Sequence, residues 1–215
     1  VKDCDLVIEA IIEDINIKTD FYRNLKDIVQ PNAIFASNTS SLQIGNMADV
    51  SGRPDKFCSL HFFNPVQIMK LVEVVKTDKT SQDTLDAVYE FSNRIGKKAV
   101  TCTDTPGFIV NRLLVPYLAQ SMALVDRKVA SVPDIDISME LGTGHPMGPL
   151  HLSDYIGLDL ALSILEGWVK EFPDEPAFIV PQVLKDKVAA GHFGRKSGQG
   201  FYKWDGDTRL GPADE

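Results

Sequence analysis

The sequence lacks the features that mark several classes of protein. Among its 215 residues are only three cysteines, Cys4, Cys58 and Cys102, which we interpret as reduced core residues. It has no Cys-x-x-Cys or His-Glu-x-x-His motif, so no metal site is predicted. Its 30 acidic residues outnumber 22 basic ones, giving a net charge of −8. Without a basic stripe, nucleic acid is a poor candidate partner. No apolar run reaches the roughly 18 residues of a membrane span.

The chain starts at Val1 almost inside a strand-like run. No initiator methionine, signal peptide or transit peptide precedes that run. We therefore expect a chain that begins part-way through a larger fold. Its length suffices for one large domain or two small ones with a sizeable buried core.

The first hundred residues alternate between strand-like and helix-like patterns, which predicts a doubly wound α/β sheet. Strands are predicted at residues 5–10, 33–36, 56–63, 71–75 and 98–102, and helices at 13–29, 43–50 and 81–95. Only about six residues separate the third strand from the fourth, which is too few for a parallel crossover. The fourth strand should therefore run antiparallel to the third, and the fifth should lie at an edge.

The alternation stops at Asp104-Thr105-Pro106-Gly107, which we interpret as a domain boundary between residues 1–104 and 105–215. The second part is predicted to be helical, followed by a glycine-rich tail from Gly191. Its helices are predicted at residues 108–125, 132–141, 153–172 and 182–190.

Three predicted strands end in polar residues: Glu9-Ala10, the loop 37–41, and His61 to Asn64. In open α/β sheets ligands bind beyond the carboxyl ends of the strands. We therefore predict a crevice lined by these three ends. Glu73, in the antiparallel strand, could return towards His61.

A histidine paired with a carboxylate is suited to acid–base catalysis, with Ser40 or Asn64 nearby as hydrogen-bond donors. These groups suit removal of a proton from an alcohol as a hydride leaves its carbon. The rival interpretation is a Ser–His–Glu hydrolase, although no Gly-x-Ser-x-Gly elbow is present. Each residue also has a structural interpretation: a histidine packed beside a strand, a carboxylate on an exposed edge, or a serine that caps a helix.

Two other features carry no predicted chemistry. The segment 142–148 loosely resembles a dinucleotide-binding loop, but it follows a helix instead of a strand, so we reject it. His145, His151 and His192 lie in predicted turns without partners and are interpreted as structural or surface residues.

Five motifs in order make the chain similar to the 3-hydroxyacyl-CoA dehydrogenases, especially the short-chain mitochondrial members of animals. They are Ser37-Asn38-Thr39-Ser40-Ser41-Leu42, His61-Phe62-Phe63-Asn64-Pro65, Leu71-Val72-Glu73-Val74-Val75, Asp104 to Arg112, and Lys196-Ser197-Gly198-Gln199-Gly200-Phe201-Tyr202. The resemblance covers nearly the whole chain and implies an α/β plus all-α fold. A truncated Rossmann-like NAD-binding domain would precede a helical C-terminal dimerisation domain.

The resemblance also implies a reaction: NAD-dependent oxidation of an L-3-hydroxyacyl-CoA to the 3-ketoacyl-CoA in fatty-acid β-oxidation. By motif match His61 is the base, Glu73 orients it, and Ser40 and Asn111 hydrogen-bond the substrate. The residues that match NAD contacts are Glu13, Lys18, Ser40, Asn64 and Lys196. The family further implies a homodimer and a location in the mitochondrial matrix.

The chain departs from the family at its amino-terminal end. Members begin with a β-α-β unit that carries Gly-x-Gly-x-x-Gly and a ribose-binding acidic residue, and they have a helical arm that contacts CoA. None of these is present, so we expect an exposed apolar sheet edge and poor NAD binding by this polypeptide alone. The alternative function is a non-enzymatic dimerisation, interaction or crystallin-like product that cannot bind NAD. A titration with NAD discriminates the two.

Overall fold

The computed structural model describes residues 1–40 and 42–213, so Ser41 of the predicted polar loop lies outside the described residues. The chain divides into two units, Val1–Arg112 and Leu113–Glu215. This division does not decide where a domain boundary lies, and the boundary proposed after Asp104 stays a prediction.

Unit 1 is built around a five-stranded sheet in the order β1-β2-β3-β4-β5. All neighbouring strands are parallel except β3 and β4, which are antiparallel as predicted. The edge position of β5 is likewise confirmed, and β1 forms the other edge of the described sheet. The elements in chain order are β1 (Leu6–Glu9), α1 (Ile15–Leu25), β2 (Ile34–Ser37), α2 (Gly45–Val50), β3 (Phe57–Phe62), β4 (Leu71–Lys76), α3 (Gln82–Arg94) and β5 (Lys98–Thr103).

Apolar side chains cover both faces of this sheet, because successive strand residues point to opposite sides. One face packs against α1 and α2 through Tyr22, Phe35 and Met47. The other packs against α3 through Leu60 and Val88. The two layers bury the strands and leave the polar residues at the strand ends in register with one another.

Helices α2 and α3 begin and end close to their predicted bounds. Helix α3 starts at the predicted N-cap Ser81, whose hydroxyl accepts from the backbone N–H of Thr84 at 3.2 Å. Helix α1 is shorter than predicted, because Asp14 caps its first turn and the helix ends at Leu25. The buried Cys58 has a thiol whose pKa burial raises to about 12, so this side chain is a core residue and a poor nucleophile.

Unit 2 is mainly helical and carries a short hairpin. Its elements are α4 (Val110–Asp126, which begins in unit 1), α5 (Val132–Thr143), α6 (Pro149–Ile156), α7 (Leu158–Glu171), α8 (Gln182–Ala189), β6 (Tyr202–Asp205) and β7 (Thr208–Pro212). The core of the unit includes Met122, Leu150, Leu165, Leu184 and Phe201. The predicted fold class, a parallel α/β sheet followed by a helical domain, is confirmed. No helix of the described residues combines the length and apolar character needed to cross a membrane.

Two predictions for unit 2 are wrong. The helix predicted over residues 153–172 is two helices, because Gly157 has φ 110°, which an α-helix cannot contain. The segment predicted as a glycine-rich tail contains two strands, because residues 202–212 form the antiparallel pair β6–β7. This hairpin is fixed by the buried carboxylate of Asp154, which accepts from Phe201 N, Tyr202 N and Trp204 Nε1 at 2.8–2.9 Å.

Candidate active site

The centre of the site is a pair of side chains from the antiparallel strands. His61 on β3 and Glu73 on β4 are directly opposed in the register, so their side chains point to the same face of the sheet. His61 Nδ1 lies 2.7 Å from Glu73 Oε2, and the two residues are 3% and 0% exposed. The pair expected to meet in the predicted hairpin therefore does so, as a buried contact.

The second oxygen of Glu73 is also bonded. Oε1 accepts from the backbone N–H groups of Ile109 at 3.2 Å and Val110 at 2.8 Å, at the start of α4. The chain reaches this point through positive φ angles at Gly107 and Phe108. The Phe108 ring then packs edge-on against the His61 ring, with centroids 5.5 Å apart. Glu73 is thus fixed at both oxygens, which fixes the imidazole plane.

The other ring nitrogen of His61 faces Ser40. Ser40 Oγ lies 3.1 Å from His61 Nε2, and the Ser40 carbonyl accepts from Asn111 Nδ2 at 3.3 Å. Since a carboxylate only accepts, His61 Nδ1 carries the hydrogen towards Glu73, and the Nε2 lone pair accepts from the serine hydroxyl. Of the four predicted catalytic residues, His61 therefore contacts both Glu73 and Ser40, and Asn111 reaches Ser40.

Glu13 binds the turn that carries Ser40. Its Oε1 accepts from Ser40 N at 3.0 Å and from the Thr39 hydroxyl, and its Oε2 lies 3.2 Å from Lys18 Nζ. Burial acts to raise the Glu13 pKa, but the hydrogen bonds from Thr39 and Ser40 and the Lys18 ammonium outweigh it, so the pKa is lowered. Glu13 is therefore held as a carboxylate against the turn that carries Ser40.

Lys18 is buried, at 1% exposure, and its ammonium donates in three directions. Besides Glu13, it reaches Glu9 Oε1 at 2.5 Å and the Ile11 carbonyl at 3.3 Å. Sequence reasoning placed Glu9 at a strand end but gave it no role. The nine-residue separation between Glu9 and Lys18 crosses a loop, so no helical or strand periodicity marks the pair.

The remaining predicted site residues are exposed. Asn64 follows β3 and precedes Pro65 through a cis peptide bond. Lys196 belongs to unit 2, where its ammonium pairs with Asp159 Oδ1 at 2.5 Å. Among the described residues, no group of three or more His, Cys, Asp or Glu side chains is placed to hold a metal ion.

Two of the three other histidines differ from expectation in detail. His145 has a partner, since Tyr117 Oη lies 3.2 Å from its Nδ1. His151 lies in α6 and not in a turn, with its ring centroid 5.4 Å from that of Trp204. The glycine-rich segment before α6 contains Gly144, the left-handed C-cap of α5, as expected for a helix end and not for a phosphate loop.

Two family models divide the chain between them. Residues 1–105 match the model described as 3-hydroxyacyl-CoA dehydrogenase, NAD binding domain, and residues 107–204 match 3-hydroxyacyl-CoA dehydrogenase, C-terminal domain. The chain belongs to the 3-hydroxyacyl-CoA dehydrogenase family. Membership of a dehydrogenase family counts against the interpretation of the chain as a hydrolase.

Known members of the dehydrogenase family resemble the chain in sequence and in structure. It is 50% identical over 204 residues to the mitochondrial hydroxyacyl-coenzyme A dehydrogenase of Sus scrofa, covering 95% of this chain and 65% of that protein. The structure of FadB2 from M. tuberculosis matches with a TM-score of 0.89 at 42% identity, over 95% of this chain and 72% of that one. The (S)-3-hydroxybutyryl-CoA dehydrogenase PaaH1 of Ralstonia eutropha gives 0.89 at 41% identity, over 94% and 71%.

The chain therefore spans about two thirds of the length of these family members.

In the described chain, carboxylates cap two helices that follow strands of the sheet. Asp14 Oδ1 accepts from Asn16 N and Ile17 N at the start of α1, and Asp104 Oδ2 accepts from Ile44 N and Gly45 N at the start of α2. A pyrophosphate binds where such N–H groups are free. These two helix ends of the described chain are thus unsuited to the phosphates of a dinucleotide.

Proposed function

We propose that the protein oxidises the 3-hydroxyl group of an L-3-hydroxyacyl-CoA to a ketone with NAD, as a step in fatty-acid β-oxidation. The observation that carries this proposal is the position of His61: its Nδ1 is held by buried Glu73, and its Nε2 lies 3.1 Å from Ser40 Oγ. A neutral imidazole fixed in this tautomer presents a lone pair to a hydroxyl group.

The proton moves through His61. Nε2 takes the proton of the substrate's 3-hydroxyl, and the resulting imidazolium is stabilised by the Glu73 carboxylate at Nδ1. NAD, when bound, accepts the hydride that leaves C3. In the reverse direction the same imidazolium returns its proton to the alkoxide. A positioned general base of this kind contributes roughly 10²- to 10⁴-fold to rate.

Ser40 and Asn111 hold the reacting oxygen next to His61. The serine hydroxyl can turn from Nε2 to the substrate oxygen, and the Asn111 amide lies beside the Ser40 carbonyl. Glu13 and Ser40 are suited to the nicotinamide end of NAD, where a carboxylate and a hydroxyl can bind the ribose hydroxyls. The Lys18 ammonium is bonded to acceptors of the protein itself, so we infer that it contributes to NAD binding by holding the Glu13 carboxylate in place. Asn64 and Lys196 remain proposed NAD contacts.

We test the activity with the protein, NAD and L-3-hydroxybutyryl-CoA, following NADH by absorbance. Because this polypeptide should bind NAD weakly, we expect turnover only at high NAD concentration, and a further loss of about 10³-fold in kcat for His61→Gln with an unchanged circular dichroism spectrum. His192→Gln, which replaces a histidine of unit 2, should keep full turnover. If the native protein neither turns over nor binds NAD in a tryptophan-fluorescence titration, the alternative of a non-enzymatic product replaces this proposal.

We also propose a homodimer formed through unit 2, because this unit leaves large apolar side chains exposed. They include Leu113, Ile137, Leu141, Tyr155 and Leu160 on the helices, with Leu141 83% exposed. Light scattering coupled to gel filtration should give a dimer that Leu141→Asp weakens and Leu210→Asp, on the hairpin, does not. A monomeric native protein would rule out the dimer. From the mitochondrial name of the pig relative we propose the mitochondrial matrix as the location.

A further inference from the structure

Glu9, the last residue of β1, is a buried residue whose two side-chain oxygens accept four hydrogen bonds. It is 2% exposed, and both side-chain oxygens are bonded. Oε1 accepts from Lys18 Nζ at 2.5 Å and from Ile11 N at 2.9 Å. Oε2 accepts from Ser37 Oγ at 2.9 Å and from Tyr22 Oη at 3.3 Å. Four donors converge on a residue outside the proposed catalytic set.

One route leads from Glu9 through charged groups to the site. Lys18 bridges the two carboxylates, with Nζ 2.5 Å from Glu9 Oε1 and 3.2 Å from Glu13 Oε2. Glu13 then accepts from the Thr39 hydroxyl and from Ser40 N. The position of the Glu13 carboxylate therefore depends on the ammonium that Glu9 holds.

A second route leads through the sheet. Glu9 and Ser37 are neighbours in the register of β1 and β2. The Ser37 hydroxyl donates to Glu9 Oε2 and accepts from Thr39 N at 3.3 Å, while Ser59 Oγ donates to the Ser37 carbonyl at 2.7 Å. Thr39 is thus held from Glu9 by a path that does not involve Lys18.

The two routes meet at residues 39 and 40, and Ser40 is the residue whose hydroxyl lies on His61 Nε2. We propose that Glu9 is a positioning residue, which fixes the 37–40 turn so that the Ser40 hydroxyl stays aligned with the base. This inference rests on the proposed function for its kinetic consequence. A carboxylate is needed because both side-chain oxygens accept, Oε1 from Lys18 and Oε2 from Ser37, whereas a glutamine amide has only one oxygen.

The test is a double-mutant cycle on kcat with NAD and L-3-hydroxybutyryl-CoA. We expect Glu9→Gln to lower kcat by about tenfold to a hundredfold, the range for a small misplacement of a reacting group. If Glu9 acts through Ser40, the same substitution should change kcat less than threefold in a Ser40→Ala background. Equal losses in both backgrounds overturn the proposal, because a general structural role would be additive. The control Asp20→Asn, which breaks the exposed α1 pair with Arg23, should leave kcat unchanged.

A second pair of variants serves if Glu9→Gln fails to fold. Ser37→Ala cuts the sheet route, whereas Tyr22→Phe removes a hydroxyl that lies against Glu9 Oε2 and Ser37 but leaves every bond of both routes in place. Ser37→Ala should lower kcat and Tyr22→Phe should not; equal effects overturn the proposal.

The alignment of the Ser40 hydroxyl with His61 can also be measured without an activity assay. In NMR spectra, the Nε2 and Cε1 shifts of His61 should move in Ser40→Ala, move the same way in Glu9→Gln or Ser37→Ala, and stay fixed in Tyr22→Phe and Asp20→Asn. Unmoved His61 shifts in Glu9→Gln and Ser37→Ala overturn the inference. An inactive native protein whose shifts follow the expected pattern would contradict the proposed function alone.

Discussion

His61 and Glu73 face each other across the antiparallel strands β3 and β4, with Nδ1 2.7 Å from Oε2. The contact is a consequence of strand register. Slipping one strand by a single residue would send the two side chains to opposite faces of the sheet. The short connection after His61, which forces the antiparallel return, is therefore what allows a histidine and a carboxylate twelve residues apart to act together.

Replacing Glu73 by glutamine should inactivate the protein through the tautomer of His61. The amide oxygen can still accept from Ile109 N and Val110 N, which leaves the amide NH₂ facing His61 Nδ1. Nδ1 would then have to accept, placing the hydrogen on Nε2 and removing the base. We expect kcat to fall by about 10²- to 10⁴-fold.

Steady-state kinetics with saturating NAD and substrate, together with an ¹⁵N spectrum of the imidazole, check this prediction. Glu90→Gln, on the exposed side of α3, is the matched control and should retain full turnover. Full activity in Glu73→Gln would show that the carboxylate has no part in the reaction.

The Glu13 carboxylate should make stability depend on pH. Its pKa is below the usual 4.5 despite burial, because of Thr39, Ser40 N and Lys18. The lowered pKa means that the ionised group stabilises the fold above pH 4.5, and that this stabilisation disappears as the pH falls through the folded-state pKa.

Urea unfolding of the native protein and Glu13→Gln at several pH values tests this dependence. The difference in unfolding free energy should be largest at neutral pH and shrink below pH 4.5. A difference that stays constant from pH 7 to pH 3 would contradict the linkage. Asp20→Asn, an exposed carboxylate on α1, serves as the reference.

Gly200 should tolerate no side chain. A Cβ there would lie 2.6 Å from Gly194 Cα and closer still to the Asp154 carboxylate, which holds the β6–β7 hairpin. We expect Gly200→Ala to lower the unfolding free energy by about 3 kcal/mol. Gly142→Ala, in α5 with nothing within 4 Å of the new Cβ, should instead raise it by roughly 0.5–1 kcal/mol. Denaturant midpoints measure both, and equal midpoints would refute the crowding argument.

Local pattern predicted the elements of unit 1 well because each is short, apolar and separated by a clear break. The antiparallel return of β4 followed from loop length alone. The prediction of a single helix over residues 153–172 was wrong because the apolar pattern continues across Gly157, whereas the helical backbone conformation is interrupted there. The hairpin in the tail was missed because Tyr202 and Trp204 are anchored by Asp154, a residue far away in sequence.

The site shows the same limit. The position of His61 and Ser40 at strand ends could be read from the sequence, because neighbouring strands bring their ends together, and the antiparallel return of β4 could bring Glu73 towards His61. The role proposed for Glu9 could not, since it depends on a buried lysine that reaches back from α1. A salt bridge between a strand end and the following helix leaves no periodic signal, and its partners become evident only in three dimensions.

One carboxylate serves both the base and the beginning of α4. Displacing Ile109 N and Val110 N from Oε1 would free the Glu73 carboxylate to rotate, and with it the oxygen that holds His61 Nδ1. We therefore expect turnover to require an uncut backbone at residues 105–110. A protease cut in that segment should inactivate the protein while most of its sheet stays folded. During limited digestion, loss of activity should therefore precede loss of secondary structure.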